Sequence, residues 1–507
     1  MAELSLRELH GLGLAKAIVG DPLVRVRGIR HDSRRCEPGD LFVAVAGAQS
    51  DGAQFIEDAV KRGAVAVLAE RPITQAVPVL LADDALVALS RIAQRLYDDP
   101  TVNMPGIGVT GTNGKTTCTY LIESLLLAAA KKPAVLGTVS FRGPFGELPA
   151  THTTPMADDV MRLAQRALDA GATHLVLEVS SHGLAMHRVD GVHFEVAAFT
   201  NLTQDHLDYH GDFAHYEAAK RRLFRELSPR TAVVNVDDPV GHSIAGEFQA
   251  QAKGRVLRCS KTAAIEHDVC VLSSEPSREG IRARVRCMGE EFDLKSPLIG
   301  EHNVENLLIA IGCGAAIGLG VDVMQRALET AQGAPGRLQR VDHPHDVLIF
   351  VDYAHTPDAL EHVLETLRAN TEGRLLVTFG CGGDRDPIKR PIMGKHAAEL
   401  ADIVVLTSDN PRSEAPERIL EQIEKGVKET ALPQIERGAL ASSARGYVIE
   451  SDRASAIQQL VAAARPGDTV LIAGKGHEKV QIVGKNRLPF DDIQVAQQAV
   501  AGLAGGS

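Results

Sequence analysis

The stretch Gly106-Ile-Gly-Val-Thr-Gly-Thr-Asn-Gly-Lys-Thr-Thr117 constrains the fold more than any other, because it demands a strand, a glycine turn and a helix start in immediate succession. Ile107 and Val109 suit a buried strand, and Cys118-Thr-Tyr-Leu-Ile-Glu-Ser-Leu-Leu-Leu127 continues as a helix. A turn between them aims backbone N–H groups and the positive helix end at an anion. In such a cradle Lys115 reaches the terminal phosphates of a nucleotide, and the Thr116 hydroxyl is a ligand for Mg2+. The strict phosphate-loop pattern wants glycine at 109, where Val109 stands, so the match is to the shorter form Gly111-Thr-Asn-Gly-Lys-Thr116. An ordinary glycine-rich turn is the plainer alternative, but Gly, Gly, Lys and Thr in that order on this junction favour the cradle.

At 507 residues the chain is too long for one core and predicts two to four domains, with three as the working number. A net charge of -11 with no basic or aromatic stripe argues against a nucleic-acid partner. No apolar run reaches the roughly 18 residues of a membrane span, and Met1-Ala-Glu-Leu-Ser-Leu-Arg-Glu-Leu-His10 does not read as a signal peptide. A cytoplasmic protein without membrane insertion is expected. The cysteines at 36, 118, 259, 270, 287, 313 and 381 form no Cys-x-x-Cys pair and read as reduced and mostly structural.

Residues 1–103 read as a small α/β unit, with strands over 24–29, 41–45 and 64–69 and a helix around 55–62. Within it Asp32-Ser-Arg-Arg35 and Gly47-Ala-Gln-Ser-Asp-Gly52 read, on composition, as polar turns. From 104 to 336 strands alternate with helices, the pattern of a largely parallel sheet. His174-Leu-Val-Leu-Glu-Val179 leads into Ser180-Ser-His-Gly183, and the strand over 196–200 leads into Asn201-Leu-Thr-Gln-Asp-His-Leu-Asp-Tyr-His210. Both place polar groups at the carboxyl end of a strand, the edge of an open parallel sheet where ligands bind and where the 111–116 loop also sits. Glu178, inside an apolar strand, needs a partner, and Mg2+ is a better one than a buried ion pair. Lys220 falls on an apolar helix stripe with Phe213, Tyr216, Leu223, Phe224 and Leu227, which favours service to a site over a snorkelling, solvated side chain. The segment 268–294 reads as a strand-rich insertion without an assigned role, and Asn303 and Asn306 as helix-start residues. Strands over 347–352, 375–379, 403–408 and 469–473 then run into Asp352-Tyr-Ala-His-Thr-Pro357, Gly380-Cys-Gly-Gly-Asp-Arg385, Asp409-Asn-Pro-Arg412 and Gly474-Lys-Gly-His-Glu478. The tail over 502–507 is expected to be disordered.

In this order Gly111–Thr117, Glu178-Val-Ser-Ser-His182, Asn201–His210, His302-Asn303 and Asp352–Pro357 resemble the signatures of the Mur ligase family of ATP-dependent amide-forming enzymes, over essentially the whole chain. The resemblance implies an α/β fold of three domains: a smaller N-terminal α/β domain (1–103), a central P-loop-type ATPase domain with a largely parallel sheet (104–336), and a C-terminal Rossmann-like domain (337–507). Within the family, Asp409–Arg412 resembles the element with which diaminopimelate-adding members recognise their amino acid. The implied reaction joins meso-diaminopimelate to UDP-N-acetylmuramoyl-L-alanyl-D-glutamate through an acyl phosphate made from ATP, with Mg2+ as cofactor. By the same carry-over Gly111, Thr112, Asn113, Gly114, Lys115, Thr116 and Thr117 bind ATP together with Asn303, Arg337, Asp352 and His355. Thr116, Glu178, His206 and Lys220 are the implied metal set, Lys220 as a carbamylated lysine, and Lys115, Glu178, His206 and Lys220 are the implied catalytic group. His31, Ser33, Ala48, Gln49 and Ser50 are the implied uridine-diphosphate contacts, and His152, Thr153, Thr154, Ser180 and Arg188 those of the muramoyl dipeptide. Arg385, Asp409, Asn410, Pro411, Arg412, Gly474 and Glu478 are the implied diaminopimelate set, arginines for carboxylates and acidic groups for an ammonium. Two positions depart from the family pattern: His152 stands where asparagine can occur, and Met186 where glutamine can. The expected enzyme is a monomer. Rival readings are a sister ligase that adds lysine, a peptide-recycling ligase that uses preformed tripeptide, a folate-type ligase, and a nucleotide switch that performs no ligation.

Overall fold

In the computed structural model residues 3–45, 51–73, 76–252 and 254–504 are described. The chain divides into two compact units, one of Met1–Ser273, Arg284–Asp293 and Glu305–Leu328, the other of Ser274–Ala283, Leu294–Val304 and Glu329–Ser507.

The first unit begins with a five-stranded sheet ordered Ala17–Val19, Val79–Leu81, Ala66–Ala69, Asp40–Val43, Gly28–Arg30. The strand expected over 24–29 is broken in two. Arg25–Val26 pairs antiparallel with Leu4–Ser5, whereas Gly28–Arg30 joins the sheet beside Asp40–Val43. Glycine at 28 fits this junction, because a Cβ there would lie 2.0 Å from Asp40 Oδ1.

The main sheet has eleven strands. Its middle runs Pro133–Leu136, His174–Glu178, Gly106–Thr110, Phe194–Phe199, Thr231–Asn235, Arg255–Ser260, all parallel. Strands buried on both faces read as continuous apolar runs, as in Leu175-Val-Leu177 with 0% exposure. The 268–294 segment supplies Val269–Ser277, Gly280–Cys287 and Glu290–Ser296, which extend this sheet at one edge. The register sets Glu178 beside Val109 and Phe199 beside Thr110. Three strands thus end level with one another, and the polar residues that follow them meet at one edge.

The second unit is built on a sheet ordered Gln339–Val341, Leu348–Asp352, Thr469–Ala473, Leu375–Phe379, Ile403–Leu406, Gly446–Ile449, parallel except at its first strand. Neighbouring strands therefore release the 352, 474, 380 and 407 loops on the same side. The last helix runs Asp492–Ala504, so residues 502–504 are helical where a disordered tail was expected, the apolar face of the helix packing Ala496 and Val500 into the core. All seven cysteines are buried and free.

Candidate active site

The strand Gly106–Thr110 is buried along its whole length and the helix Lys115–Ala128 starts at once after Gly114. Gly111 and Gly114 have φ of +151° and +86°, the left-handed side that glycine tolerates. Space enforces the same choice: a Cβ at Gly111 would sit 1.9 Å from Thr200 Oγ1, and one at Gly114 2.3 Å from Asn306 Oδ1. No side chain caps the first turn of this helix, unlike the helix Phe213–Arg225, whose N-cap Asp212 accepts from His215 N. A helix start capped by glycine in this way is a favourable place for an anion. The loop itself is tied down by Asn113 N donating to Asn201 Oδ1 at 2.9 Å and by a 2.9 Å contact between the Thr112 and Tyr216 hydroxyls. Asn113 is exposed and Thr117 half-buried.

Beneath the loop, Glu178 is 1% exposed and fully engaged. Its Oε2 accepts from Thr116 Oγ1 at 2.8 Å and Thr138 Oγ1 at 2.9 Å, and its Oε1 from Thr138 N at 2.8 Å. Thr138 had no role on sequence; nothing in Gly137-Thr-Val marks it. The donor set of hydroxyl and carboxylate oxygens is hard and compact, which fits Mg2+. His206 is half-exposed, with φ of +53°, and its Nε2 is 3.4 Å from Asp205. Its ring lies 5.0 Å from that of His182, which also touches Tyr209 and His210. Among the described residues, the one group of three potential metal ligands with donor atoms within 4.8 Å is His31, Asp158 and Asp159, so Glu178 and His206 are not brought into such a group.

Lys220 lies on the buried face of the Phe213–Arg225 helix with Tyr216, Leu223 and Phe224, and is itself 1% exposed. Phe213, expected on that face, is 40% exposed. The Lys220 Nζ donates to Gly111 O at 2.7 Å and lies 4.6 Å from the centre of the Tyr216 ring. Lys115 Nζ donates to the same Gly111 O at 2.9 Å and to Thr112 O at 2.8 Å. Burial, and then the nearby Lys115 charge, push the Lys220 amine well below the usual lysine range, with Asp205 opposing weakly.

Elsewhere in this unit, Thr154 Oγ1 donates to Glu178 O at 2.7 Å and accepts from Ser180 N at 2.9 Å. The Thr153 and Thr138 hydroxyls lie 3.0 Å apart, and His152 is exposed. Arg188 is 8% exposed and donates to Thr154 O and to the Met186 sulfur, with no ion pair among the described residues. Burial lowers its pKa from the ordinary arginine value. A buried guanidinium without a carboxylate is a site for an anionic ligand. His31 Nδ1 is 2.8 Å from Asp158, whose charge outweighs the burial that disfavours the cation and raises His31 above its ordinary value. Arg35 pairs with Asp159 at 2.7 Å, so Asp32–Arg35 is a docking turn onto the helix Ala157–Asp169 as well as a polar one. Ser33 is buried and donates to Asp58; Ala48, Gln49 and Ser50 lie outside the described residues.

In the second unit, Asp352 is buried and both its oxygens accept backbone N–H groups, Leu338 N at 2.7 Å and Ala354 N at 2.8 Å; burial raises its pKa. The Arg337 guanidinium lies 5.1 Å from the Tyr353 ring centre, and His355 Nδ1 is 2.8 Å from Tyr353 O. Asn303 is 4% exposed, stands in the first turn of the helix Glu301–Ala316 and donates to Ile299 O. Asp409, Asn410 and Glu478 come together around Lys475, which sequence reading quoted but did not assign: its Nζ is 3.4, 3.0 and 3.3 Å from Asp409 Oδ1, Asn410 Oδ1 and Glu478 Oε2. Arg412 has φ of +51° and donates to Gly383 O at 2.8 Å, while Arg385 is exposed. Pro411 is buried, and Gly474 has φ of +115°. Below these loops Arg453 and Asp492, both with fully buried side chains, form a 2.7 Å pair; Arg453 also donates to Ser408 O and Ala473 O, the carbonyls from which the 409 and 474 loops spring.

Comparison with known proteins matches residues 25–111 to the Mur ligase family catalytic domain, 109–314 to the Mur ligase middle domain and 336–476 to the Mur ligase glutamate ligase domain. A UDP-N-acetylmuramoyl-L-alanyl-D-glutamate--2,6-diaminopimelate ligase of Synechococcus elongatus is 44% identical over 94% of this chain and 94% of its own length. The protein of the same name from Geobacter metallireducens is 41% identical over 96% of each chain. A solved structure of a ligase so named superposes with a TM-score of 0.71 at 34% identity, covering 99% of this chain and all of the other.

Proposed function

The chain belongs to the Mur ligase family, and on that premise we propose that it joins meso-diaminopimelate to UDP-N-acetylmuramoyl-L-alanyl-D-glutamate at the cost of ATP, in cytoplasmic synthesis of peptidoglycan precursors. The observation that carries this reading is a pair of strand-edge sites with complementary chemistry. One is a glycine loop with an uncapped helix start over Glu178; the other gathers Asp409, Asn410 and Glu478 beside Arg412.

A carboxylate is a poor acyl donor, so the terminal phosphoryl group of ATP is first transferred to the substrate carboxylate, giving an acyl phosphate and ADP. The amine of diaminopimelate then attacks the acyl carbon, the C–O bond to phosphate breaks, and the amine loses a proton as phosphate leaves. Positioning and charge neutralisation do most of this work. The 111–117 backbone and Lys115 hold the phosphates, and Asn303, Arg337, Asp352 and His355 belong to the nucleotide site. Thr116, Glu178, His206 and Lys220 would hold Mg2+, which when bound neutralises charge on the transferring group. Lys220 serves as a carbamate: its neutral amine adds CO2 and loses a proton, turning a donor that repels metal into an anion. Its burial and depressed pKa support this, because the reaction needs the uncharged amine.

His31, Ser33 and residues 48–50 bind the uridine diphosphate, and His152, Thr153, Thr154, Ser180 and Arg188 the muramoyl dipeptide. Arg385, Asp409–Arg412, Gly474 and Glu478 bind diaminopimelate. Domains of 1–103, 104–336 and 337–507 in a monomer complete the proposal. No helix among the described residues is long and apolar enough to cross a membrane.

Purified protein is incubated with ATP, Mg2+ and the UDP-linked dipeptide, with and without diaminopimelate. Multiple-turnover formation of ADP and phosphate is expected to need both substrates, because without the amine the reaction stops at one acyl phosphate per enzyme. Phosphate release indifferent to both would favour a nucleotide switch, and equal use of lysine and diaminopimelate would overturn the amino-acid assignment.

A further inference from the structure

Lys475 is buried with 0% exposure one residue after Thr469–Ala473 and Gly474, whose φ of +115° turns the chain inward. Its Nζ touches three side chains that the proposed function assigns to the amino acid: Asp409 at 3.4 Å, Asn410 at 3.0 Å and Glu478 at 3.3 Å. A lysine can only donate, and so can Ile482 N–H, which reaches the same Asn410 Oδ1 at 2.9 Å. The Asn410 amide is therefore locked with its oxygen inward, and its Nδ2 donates to Glu478 Oε2 at 2.9 Å. Without the ammonium, two carboxylates, of which Asp409 is nearly buried and Glu478 one-third exposed, would face one another uncompensated and repel. With it, Lys475, Asp409 and Glu478 carry a net charge of one negative, the complement of a single ligand ammonium.

We propose that Lys475 is the positioning and charge-setting residue of the amino-acid site: it holds Asp409, Asn410 and Glu478 in one arrangement and limits the pocket to one unpaired negative charge. The inference rests on the diaminopimelate reading above. The ligand portion it selects carries one ammonium beside a carboxylate that Arg412 can pair.

The test is steady-state kinetics of Lys475→Met, similar in length and uncharged, with ATP, UDP-dipeptide and diaminopimelate each varied, alongside thermal unfolding. The KM for diaminopimelate should rise by about tenfold or more while the KM for ATP stays within about twofold. An unchanged KM for diaminopimelate, or an equal fall in activity toward every substrate, overturns the inference by leaving Lys475 only a structural role. If the single variant does not fold, Lys475→Met/Glu478→Gln, which also removes one carboxylate, is compared with Glu478→Gln alone. A KM for diaminopimelate that is higher in the double variant supports the inference, and equal values overturn it. Wild-type protein without diaminopimelate-dependent ADP formation would instead refute the underlying reading, so the two failures are distinguishable.

Discussion

Lys220 and Lys475 are both buried, at 1% and 0% exposure, yet they sit in opposite surroundings. Lys475 has two carboxylates and an amide oxygen around its Nζ. Among the described residues, Lys220 meets the carbonyl of Gly111, which it shares with the ammonium of Lys115, and the face of Tyr216. A buried ammonium is tolerated when anions meet it and is costly when they do not. The first arrangement is finished as it stands and can orient its neighbours. The second is unfinished: it favours a neutral amine, and with it a reaction that converts the amine to an anion. On the proposed reading the same residue type serves positioning in one unit and chemistry in the other, and what separates the two uses is the charge of the neighbours.

The comparison is most exposed to test at a third buried cation, Arg453, which is satisfied in the manner of Lys475 by Asp492 and two carbonyls. Arg453→Met strands the Asp492 carboxylate and should destabilise the protein by about 3–5 kcal/mol, whereas Arg453→Met/Asp492→Leu should recover most of that. Urea unfolding of both variants measures it; a neutral single variant would break the claim that partners decide what a buried cation does here. Next in size is Lys220→Ala. Activity should fall by about 10²-fold or more, and short carboxylates such as acetate or formate should restore part of it by standing in for the lost anion. Full activity without additives would remove Lys220 from the chemistry.

Part of this contrast was legible in the sequence. Lys220 announced itself because a lysine breaks an apolar stripe of period 3.6, a signal that survives without coordinates. Glu178 did so because an acid breaks a buried parallel strand, and the glycine loop because its conformation admits few alternatives. Lys475 did not, because Gly474-Lys-Gly-His-Glu478 looks like an exposed polar loop until Asp409 and Asn410 arrive from a neighbouring strand end, 65 or more positions away in the chain. Asn306 was hidden for a similar reason. A helix-start asparagine is unremarkable alone, and only the fold sets its Oδ1 where a Cβ at Gly114 would lie. The Asp158 and Asp159 pair reads as ordinary first-turn acids until His31 and Arg35 dock on it. Most strand positions and the ligand edge follow from local pattern; strand order and the pairing of charges across loops do not.

Smaller effects sharpen the same contrast. Arg412→Ala removes a guanidinium that donates to Gly383 O and that, in the proposed function, takes a ligand carboxylate as well. The KM for diaminopimelate should rise about 10- to 100-fold, the value of a hydrogen bond between charged groups, with the KM for ATP within about twofold; equal loss toward both substrates would deny Arg412 its specificity role. The smallest effect is on stability. Burial lowers the Lys220 pKa, so between its folded value and its higher unfolded one the unfolded chain binds one more proton than the folded chain. Stability must then rise with pH through that window, by at most about 1.4 kcal/mol per pH unit, and the penalty is greatest below it, where both states carry the proton. Lys220→Met has no proton to bind, so in CO2-free buffer its stability should be the higher at neutral pH and should lack this contribution to the slope. Added bicarbonate should stabilise the wild type alone, since CO2 captures the amine only in the fold that keeps it neutral. Coincident slopes for the two proteins would mean that Lys220 is folded as an ammonium, and the distinction from Lys475 would then have to be sought in something other than charge.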